Sequence, residues 1–336
     1  MRRDESPNPV RQEGRGIVIF HFGYAYALRL LVCLYTLRKH YAGAVTVFLR
    51  DDKAGRELHP IIESLGIKVE RKQGFSRSFD RHRVFLESPY ASTISIDSDT
   101  IFQGPIDELW EPLERAGALL TRFRAYPCGI EGTPERRGWG DRVGALDGVK
   151  SLLAPQDYSA AFERLVVQGI DVNIGLMGFS RPTGDAFLLD WADHMERGRD
   201  LKAFIMDEIL VSALHGRHRC ELVDDRWNCP ANEFHRLTNI TDARMIHYFS
   251  DGGRMFGAKV GRNASSLAGR TWLKAYAEAN QHLDLRRWRK YDPYFDGPLK
   301  IVGKFVANQP HALMYTLRRI SKVLKVLQDR RKTSSR

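Results

Sequence analysis

Short apolar segments alternate with amphipathic segments over the first hundred residues. The apolar runs have the length of buried strands, and the segments between them have the 3.6-residue period of helices. The predicted strands are 16–22, 44–49 and 67–70, and the predicted helices are 24–40, 55–65 and 78–87. Such alternation predicts an α/β fold in which a mostly parallel, twisted sheet lies between flanking helices.

The pattern continues less regularly toward the C-terminus. Further strands are predicted at 93–96, 119–123, 172–179, 221–223 and 244–249, and further helices at 184–197 and 201–214. Residues 126–146 are rich in Gly, Pro and Arg and have no period. We therefore expect a long loop there, close to a functional site.

Positive charge is concentrated at the C-terminal end. The net charge is +11, and residues 301–336 contain nine Lys or Arg and one Asp, which leaves about +3 for the rest. Leu313, Leu317, Ile320, Leu324 and Leu327 form one helical stripe among these charges. A basic amphipathic helix is typical of binding to an anionic membrane surface. Docking of the helix on its own domain and binding to nucleic acid are the alternatives.

These patterns divide the chain into three parts. We expect a flexible arm over 1–15, an α/β domain over 16–300 and a basic tail over 301–336. The arm has no apolar centre like that of a signal peptide, and no run of 18 apolar residues occurs. The expected location is cytoplasmic, with peripheral binding at the inner face of the membrane if the tail is a membrane-binding helix.

The chemistry-bearing motif is Asp97-Ser98-Asp99, the only D-x-D triplet in the chain. It follows a predicted strand directly, and ligands of open α/β sheets bind at the carboxyl ends of the strands. Two carboxylates about 4 Å apart repel by roughly 4 kcal/mol at an effective dielectric of about 20. A divalent cation would relieve that repulsion, and carboxylate oxygens suit Mg²⁺ or Mn²⁺. A strand-end turn with two solvated aspartates is the alternative.

Two phosphate chemistries use such a triplet. Haloacid-dehalogenase-like phosphatases have D-x-D-x-Thr at the end of their first strand, whereas this chain has Ile101 at the fifth position and three predicted strands before the motif. The second chemistry is sugar transfer from a nucleotide sugar. A basic nucleic-acid-binding protein that does not need Asp97 is a rival of another class.

The stretch 81–100, RHRVFLESPYASTISIDSDT, resembles the central segment of GT-A-fold glycosyltransferases. It is similar to the glycogenin and galactosyltransferase-like group, of the family 8 kind. The resemblance implies a GT-A-like nucleotide-diphospho-sugar transferase fold. It also implies a metal-dependent hexosyltransferase that uses a nucleotide-diphosphate sugar, with a UDP-sugar as the favoured donor. The group is typically retaining. A glycan, a lipid-linked molecule or another acceptor is expected, and the first two are favoured because a membrane-binding tail would place the enzyme beside such substrates.

The resemblance also implies roles for residues near the reacting sugar. His247 in RMIHYFSD would complete the metal site with Asp97 and Asp99. Asn173 in VNIGLMGF, and Asp207 and Glu208 in FIMDEILVSAL, would serve the sugar or the acceptor. Taken alone, each has a plainer explanation. His247 could be a core histidine, Asn173 could lie in a strand bulge, and Asp207 and Glu208 could lie on a solvated helix face.

The remaining implied residues would contact the donor nucleotide. They are His21, Phe22 and Gly23 for the base, and Arg81, Arg83, Ser98, Gly175, Asn228 and Arg254 around the diphosphate and sugar. The family commonly carries a Lys-Pro-Trp after its late histidine, which this chain lacks. Arg254 or Lys259 would have to replace that lysine.

Overall fold

The computed structural model describes residues 12–75, 80–124, 142–201, 205–231, 236–248 and 267–292. Its strands alternate with helices up to the D-x-D motif, as the hydrophobic pattern predicts. The strands are β1 (Gln12–His21), β2 (Ala44–Arg50), β3 (Lys68–Lys72), β4 (Tyr90–Ile96), β5 (Thr100–Phe102), β6 (Ala118–Arg124), β7 (Ile170–Ser180), β8 (Glu221–Val223), β9 (Cys229–Pro230) and β10 (Met245–His247).

Nine α-helices lie in the described residues. They are α1 (Ala27–His40), α2 (Lys53–Glu63), α3 (Arg81–Leu86), α4 (Trp110–Ala116), α5 (Arg142–Val149), α6 (Pro155–Glu163), α7 (Asp185–Arg197), α8 (Met206–Leu214) and α9 (Leu267–His282). A 3₁₀ segment, Leu285–Tyr291, follows α9. No helix of the described part is both long and apolar enough to cross a bilayer.

Seven strands form the main sheet in the order β3-β2-β1-β4-β7-β6-β8. β1 pairs in parallel with β2 and β4, β2 with β3, and β6 with β8, whereas β7 is antiparallel to both of its neighbours. The predicted class, an α/β fold with a mostly parallel sheet, is confirmed. The chain leaves β1 in one direction and returns to β4 on its other side. The carboxyl ends of β1 and β4 therefore flank a topological switch point, where open sheets bind ligands.

A second sheet of three short strands, in the order β5-β10-β9, stands beside the end of β4. β5 follows the D-x-D motif directly, and β10 pairs with it antiparallel so that His247 lies opposite Thr100. The backbone N–H of Tyr248 also donates to the carbonyl oxygen of Asp99 at 2.9 Å. The small sheet therefore places β10, which is distant in sequence, beside the D-x-D motif.

Helices cover both faces of the main sheet. On one face α1 is buried almost all round, because α9 and the 3₁₀ segment pack over it with Trp272 and Trp288. On the other face, Trp191 of α7 is wholly buried against Phe85 of α3, Phe179 of β7 and the first turn of α8. A helix that is apolar on every side is expected to lie inside a domain, and the run ALRLLVCL at the start of α1 has that character.

The structure differs from the predicted elements in several places. β1 begins at Gln12 rather than at residue 16, because its first residues already pair with β4 across an irregular register. The predicted loop over 126–146 is wrong at its end, where α5 begins at Arg142. α4, α6 and α9 were not predicted. The basic tail over 301–336 and the two candidate diphosphate residues Arg254 and Lys259 lie outside the described residues.

Candidate functional site

Asp97, Asp99 and His247 meet at the carboxyl end of β4. Nε2 of His247 lies 3.2 Å from Oδ1 of Asp99 and 3.5 Å from Oδ2 of Asp97. One potential ligand atom from each residue lies within 4.8 Å of the others. The sequence separates His247 from the motif by about 150 residues, and the pairing of β10 with β5 removes that separation.

This donor set fits a divalent cation. Two carboxylates and one imidazole suit Mn²⁺ or Mg²⁺, with further positions left for other oxygen ligands. The side chains of Asp97 and Asp99 are 27% and 21% exposed, so a ligand can reach them, whereas His247 is buried behind them. We conclude that these three residues could hold a metal ion.

Gly175 of β7 makes room for the histidine. A Cβ atom at this position would overlap Cε1 and Nδ1 of the His247 ring. The carbonyl oxygen of Gly175 also accepts a 2.9 Å hydrogen bond from the backbone N–H of Asp97. Glycine is therefore needed because the backbone of β7 passes directly against two of the three candidate ligands.

The neighbouring charges change the pKa values of His247 and Asp99. Burial alone would lower the pKa of His247, but the carboxylates of Asp99 and Asp97 outweigh it and the pKa is raised. Burial would raise the pKa of Asp99, but His247 and Arg29 together hold it below its ordinary value. The raised pKa favours the protonated imidazole, whereas a metal ligand must be unprotonated, so a cation held by His247 would compete with that proton.

Arg81, the first residue of α3, joins the motif to α8. Its Nη1 lies 2.7 Å from Oδ1 of Asp97, and its Nε lies 3.3 Å from Oδ2 of Asp207. Nη1 also donates to the carbonyl oxygen of Ile174 at 3.0 Å. Burial opposes the charge of Arg81, but the two carboxylates raise its pKa, so the guanidinium stays charged. Burial raises the pKa of Asp207, and Arg81 offsets part of that shift.

Asn173 and Glu208 come together behind the metal-ligand candidates. The Asn173 amide N–H donates to Oε2 of Glu208 at 3.0 Å, and its oxygen accepts from the backbone N–H of Gly175 at 2.9 Å. Nδ2 of Asn228 donates to the same oxygen at 2.8 Å. Asn173 is 3% exposed, and its donors and acceptors are used inside the protein. Its observed contacts therefore hold Gly175 in place.

Glu208 belongs to a buried ionic cluster with Arg142 and Asp171. Arg142 Nη2 contacts Oε1 of Glu208, and Arg142 Nε lies 3.3 Å from Oδ2 of Asp171. Ser212 donates to the other oxygen of Asp171. Burial raises the pKa of Glu208, and the charge of Arg142 counteracts that shift. The carboxylate is thus fixed by an arginine on one side and by Asn173 on the other.

The end of β1 holds the three residues expected at the nucleotide base. His21 is buried, and its Nε2–H donates to the carbonyl oxygen of Gly23 at 3.1 Å. Burial lowers the pKa of His21 to about 4, so the ring is neutral at pH 7. Phe22 is partly exposed, and Gly23 has a φ of 69°, which favours glycine. His21 ends the strand that flanks β4 at the switch point.

The structure separates the two candidate arginines of α3. Arg83 pairs with Glu87 at 2.9 Å and with Asp80 at 3.6 Å, and it covers the ring of Phe75. Arg81, rather than Arg83, is the one that contacts Asp97. Ser98 lies in the turn between the two aspartates and is partly exposed.

Sequence reasoning missed several charged residues near the site. Arg29 lies 3.9 Å from Asp99 and also contacts Asp292, and Arg142 supports Glu208. Arg29 is the single charged residue in the apolar run ALRLLVCL, and a charge in such a run indicates a buried side chain that needs a partner. For Arg142 and Asp292 the sequence offers no such signal, because their partners are distant along the chain.

Comparison with known proteins gives distant structural neighbours only. No family model and no curated protein matches the chain. It is similar to the glycosyltransferase GlyE of Streptococcus pneumoniae TIGR4, with 14% identity, a TM-score of 0.49, and coverage of 82% of this chain and 64% of that one. The chain thus spans less than two-thirds of the length of GlyE.

Two further neighbours are smaller proteins. The galactosyltransferase LgtC, solved with donor and acceptor sugar analogues, is 13% identical, with a TM-score of 0.48 and coverage of 78% of this chain and 95% of that one. Mouse xyloside xylosyltransferase 1 is 12% identical, with a TM-score of 0.43 and coverage of 70% and 97%. All three are glycosyltransferases, the class that the sequence patches resemble. At identities of 12–14% they assign no activity to this chain.

Proposed function

We propose that this protein is a metal-dependent glycosyltransferase that takes a hexose from a nucleotide-diphosphate sugar. The observation that carries the proposal is the meeting of Asp97, Asp99 and His247 at the switch point of the main sheet. Such a site combines cation ligands with the position where α/β sheets bind nucleotides. A cation bound there would stabilise the negative charge that develops on the departing nucleoside diphosphate.

The residues around the metal site have distinct proposed roles. Arg81 orients Asp97 and links it to Asp207. Asp207 would contact the donor sugar. Asn173 and Glu208 hold the backbone at Gly175, and through it the candidate metal ligands. We assign Glu208 a positioning role, because a carboxylate held by Arg142 and Asn173 is a poor nucleophile.

The donor nucleotide would lie along the ends of β1 and β4. His21, Phe22 and Gly23 would receive the base, with uridine as the first candidate, and Ser98 and Asn228 would flank the diphosphate and sugar. A neutral His21 suits a base, which is uncharged, better than a phosphate. Arg254 is proposed as the diphosphate contact from the sequence resemblance alone. Mn²⁺ is the first cation to test and Mg²⁺ the second, and retention of configuration is the expected outcome.

The acceptor is proposed to be a glycan or a lipid-linked molecule. This part rests on the basic tail over 301–336, which carries about +8 of the net charge of +11. A basic amphipathic segment would bring a cytoplasmic enzyme to the inner face of the membrane, where lipid-linked acceptors lie.

The proposal is tested by a hydrolysis screen that needs no acceptor. The full chain is incubated with UDP- and GDP-sugars in Mn²⁺, in Mg²⁺ or in EDTA, and release of nucleoside diphosphate is measured. We expect release only with a cation, loss of release in Asp99→Asn, and no change in Asp193→Asn, a matched exposed aspartate on α7. Cleavage of p-nitrophenyl phosphate that is lost in Asp97→Asn would instead favour the phosphatase alternative.

A further inference from the structure

Arg29 is a buried arginine in the first turn of a helix that is otherwise apolar at that end. Its side chain is 2% exposed, and its neighbours Leu28 and Leu30 are wholly buried. A positive charge at a helix N-terminus is unfavourable, and a buried charge needs partners. The position therefore requires nearby negative charge.

Two carboxylates supply that charge, at unequal distances. Arg29 Nε lies 3.1 Å from Oδ2 of Asp292 and also donates a hydrogen bond to it. Arg29 Nη1 lies 3.9 Å from Oδ2 of Asp99, which is a candidate metal ligand. The guanidinium also lies over the ring of Tyr26, 4.9 Å from its centroid. Arg29 is therefore held toward Asp292 and lies at the edge of contact with Asp99.

Rigid packing fixes Asp292 at this place. It follows the 3₁₀ segment Leu285–Tyr291, in which Leu285 and Trp288 are buried against α1. The ring of Tyr291 stacks on that of Tyr24, with centroids 4.3 Å apart. The Asp292 side chain is itself 1% exposed. The carboxylate is thus built into the core beside the metal site rather than carried on a free surface.

We infer that Asp292 is a positioning residue, which keeps Arg29 away from Asp99 and so leaves that carboxylate available to the cation. An arginine and a metal ion compete for the same carboxylate oxygens. If Asp292 lost its charge, the guanidinium would lose the nearer of the two carboxylates described around it and would shift toward Asp99. This inference rests on the metal site of the proposed function.

The local charges agree with this role. Asp292 and Asp99 flank Arg29, whereas Asp97 and Asp207 flank Arg81. Removing the charge of Asp292 takes away the nearer of the two carboxylates that hold Arg29, so the guanidinium competes more strongly for Asp99. Removing Arg29 together with Asp292 takes away that competing positive charge. The paired change should therefore recover what the single change loses.

The test is Mn²⁺ affinity of the full-length chain, measured by titration calorimetry or by the electron paramagnetic resonance signal of free Mn²⁺. Asp292→Asn should weaken the affinity by about 10- to 100-fold, as for other residues that orient metal ligands. Adding Arg29→Met to Asp292→Asn should return it close to the wild-type value. Glu278→Gln is the matched control, because Glu278 also joins the C-terminal helix α9 to α1, through Lys39 at 2.6 Å.

The outcomes separate this inference from the proposed function. If the wild type binds no Mn²⁺, the metal site itself is refuted and the inference with it. If the wild type binds Mn²⁺ and Asp292→Asn binds it equally well, only the inference is overturned. A double variant as weak as the single one would also overturn it, because Asp292 would then act as a packing support. If Asp292→Asn does not fold, the double variant still tests the inference, because an affinity well below that of the wild type would show that Asp292 acts as a packing support.

Discussion

Gly175 is the residue at which a small change should affect the candidate metal site most directly. In Gly175→Ala, the added methyl group would overlap the ring of His247. The imidazole must then move away from Asp97 and Asp99, and we expect Mn²⁺ affinity to fall by about tenfold or more. Calorimetric titration with Mn²⁺ measures this directly, whatever the donor and acceptor.

Gly178 provides a matched control on the same strand. A Cβ atom there would lie 2.9 Å from Cδ2 of Leu113 and 3.2 Å from the carbonyl oxygen of Thr93, away from the metal-ligand candidates. Gly178→Ala should therefore lower the free energy of unfolding by about 1–3 kcal/mol, as overpacking does, without changing Mn²⁺ affinity. Equal losses of affinity in both variants would mean that β7 as a whole, rather than the ring contact, supports the site.

His21 should make the stability of the protein depend on pH. Its pKa is lowered to about 4 by burial in the folded state, whereas an unfolded histidine has a pKa of about 6.5. Between these values the unfolded state binds more protons, so the free energy of unfolding falls as the pH falls. From pH 7 to pH 4.5 this single group should cost about 2 kcal/mol.

The measurement is urea unfolding of the wild type and of His21→Gln at both pH values. Glutamine keeps an N–H donor that can reach the carbonyl oxygen of Gly23 but does not titrate. Other buried histidines contribute equally to both proteins, so the difference between the two pH dependences isolates His21. Identical pH dependences would show that His21 is not buried as a neutral ring.

The sequence predicted the residues that carry a local signature. Asp97 and Asp99 follow an apolar strand, and His247 was found through a resemblance to a known pattern. Arg29 and Asp292 could not be paired from the sequence, because 263 positions separate them and neither lies in a motif. Long-range ion pairs depend on how elements pack, and neither the local period nor the composition records that packing.

At the scale of elements, the first turn of α8 carries two acidic residues with different surroundings. Asp207 faces Arg81, which contacts the D-x-D motif, whereas Glu208 faces Arg142 of α5 and Asn173 of β7. Both are buried, although an acidic pair on a helix is usually a solvated face. The helix therefore joins the sheet to the site through charged contacts on its buried side.

Arg142→Met should test how much the buried cluster contributes to the fold. The change leaves Glu208 and Asp171 buried without their arginine, and loss of one partner of a buried ion pair costs about 3–5 kcal/mol. Adding Glu208→Gln removes one of the two buried carboxylate charges that have lost their arginine. The double variant should therefore regain about 1–3 kcal/mol of unfolding free energy relative to Arg142→Met. Urea unfolding monitored by circular dichroism measures both values. Strict additivity would mean that Arg142 and Glu208 do not interact energetically.

The elements themselves were predicted where the period was strong. Strands β1, β2 and β4 and helix α1 appear close to their predicted positions, since apolar runs mark them. The antiparallel direction of β7 and the three-stranded sheet had no local signal, because strand direction depends on the path of the chain. α5 was hidden in a Gly- and Arg-rich stretch, and its buried Arg142 has the polarity of a loop residue.

At the scale of the whole molecule, the candidate site lies where two sheets meet. The main sheet supplies the ends of β1 and β4 at its switch point, and the smaller sheet supplies β10 with His247. Two helices on opposite faces of the sheet also reach the D-x-D motif. Arg29 of α1 lies near Asp99, and Asp207 of α8 is linked to Asp97 through Arg81. Such a site cannot form in a fragment, so metal binding should require the folded domain as a unit.

The basic tail lies outside the described residues, and its sequence alone predicts how it behaves at a membrane surface. Residues 301–336 combine about +8 of charge with a stripe of five aliphatic residues. Apolar burial in the interface and attraction to anionic lipid should act together, since one such signal alone usually anchors a protein weakly. The attraction must weaken with salt, because the screening length is about 8 Å at physiological ionic strength.

Deleting residues 311–336 should therefore release the protein from anionic vesicles while leaving donor hydrolysis intact. Co-sedimentation with phosphatidylserine-containing vesicles at low and high salt measures binding, and nucleoside diphosphate release measures activity. Neutral vesicles are the control, because they keep the apolar interface but lack the charge. A truncated chain that loses hydrolysis would show that the tail is part of the catalytic fold. If the intact chain ignores anionic vesicles even at low salt, docking of the tail on its own domain becomes the better explanation.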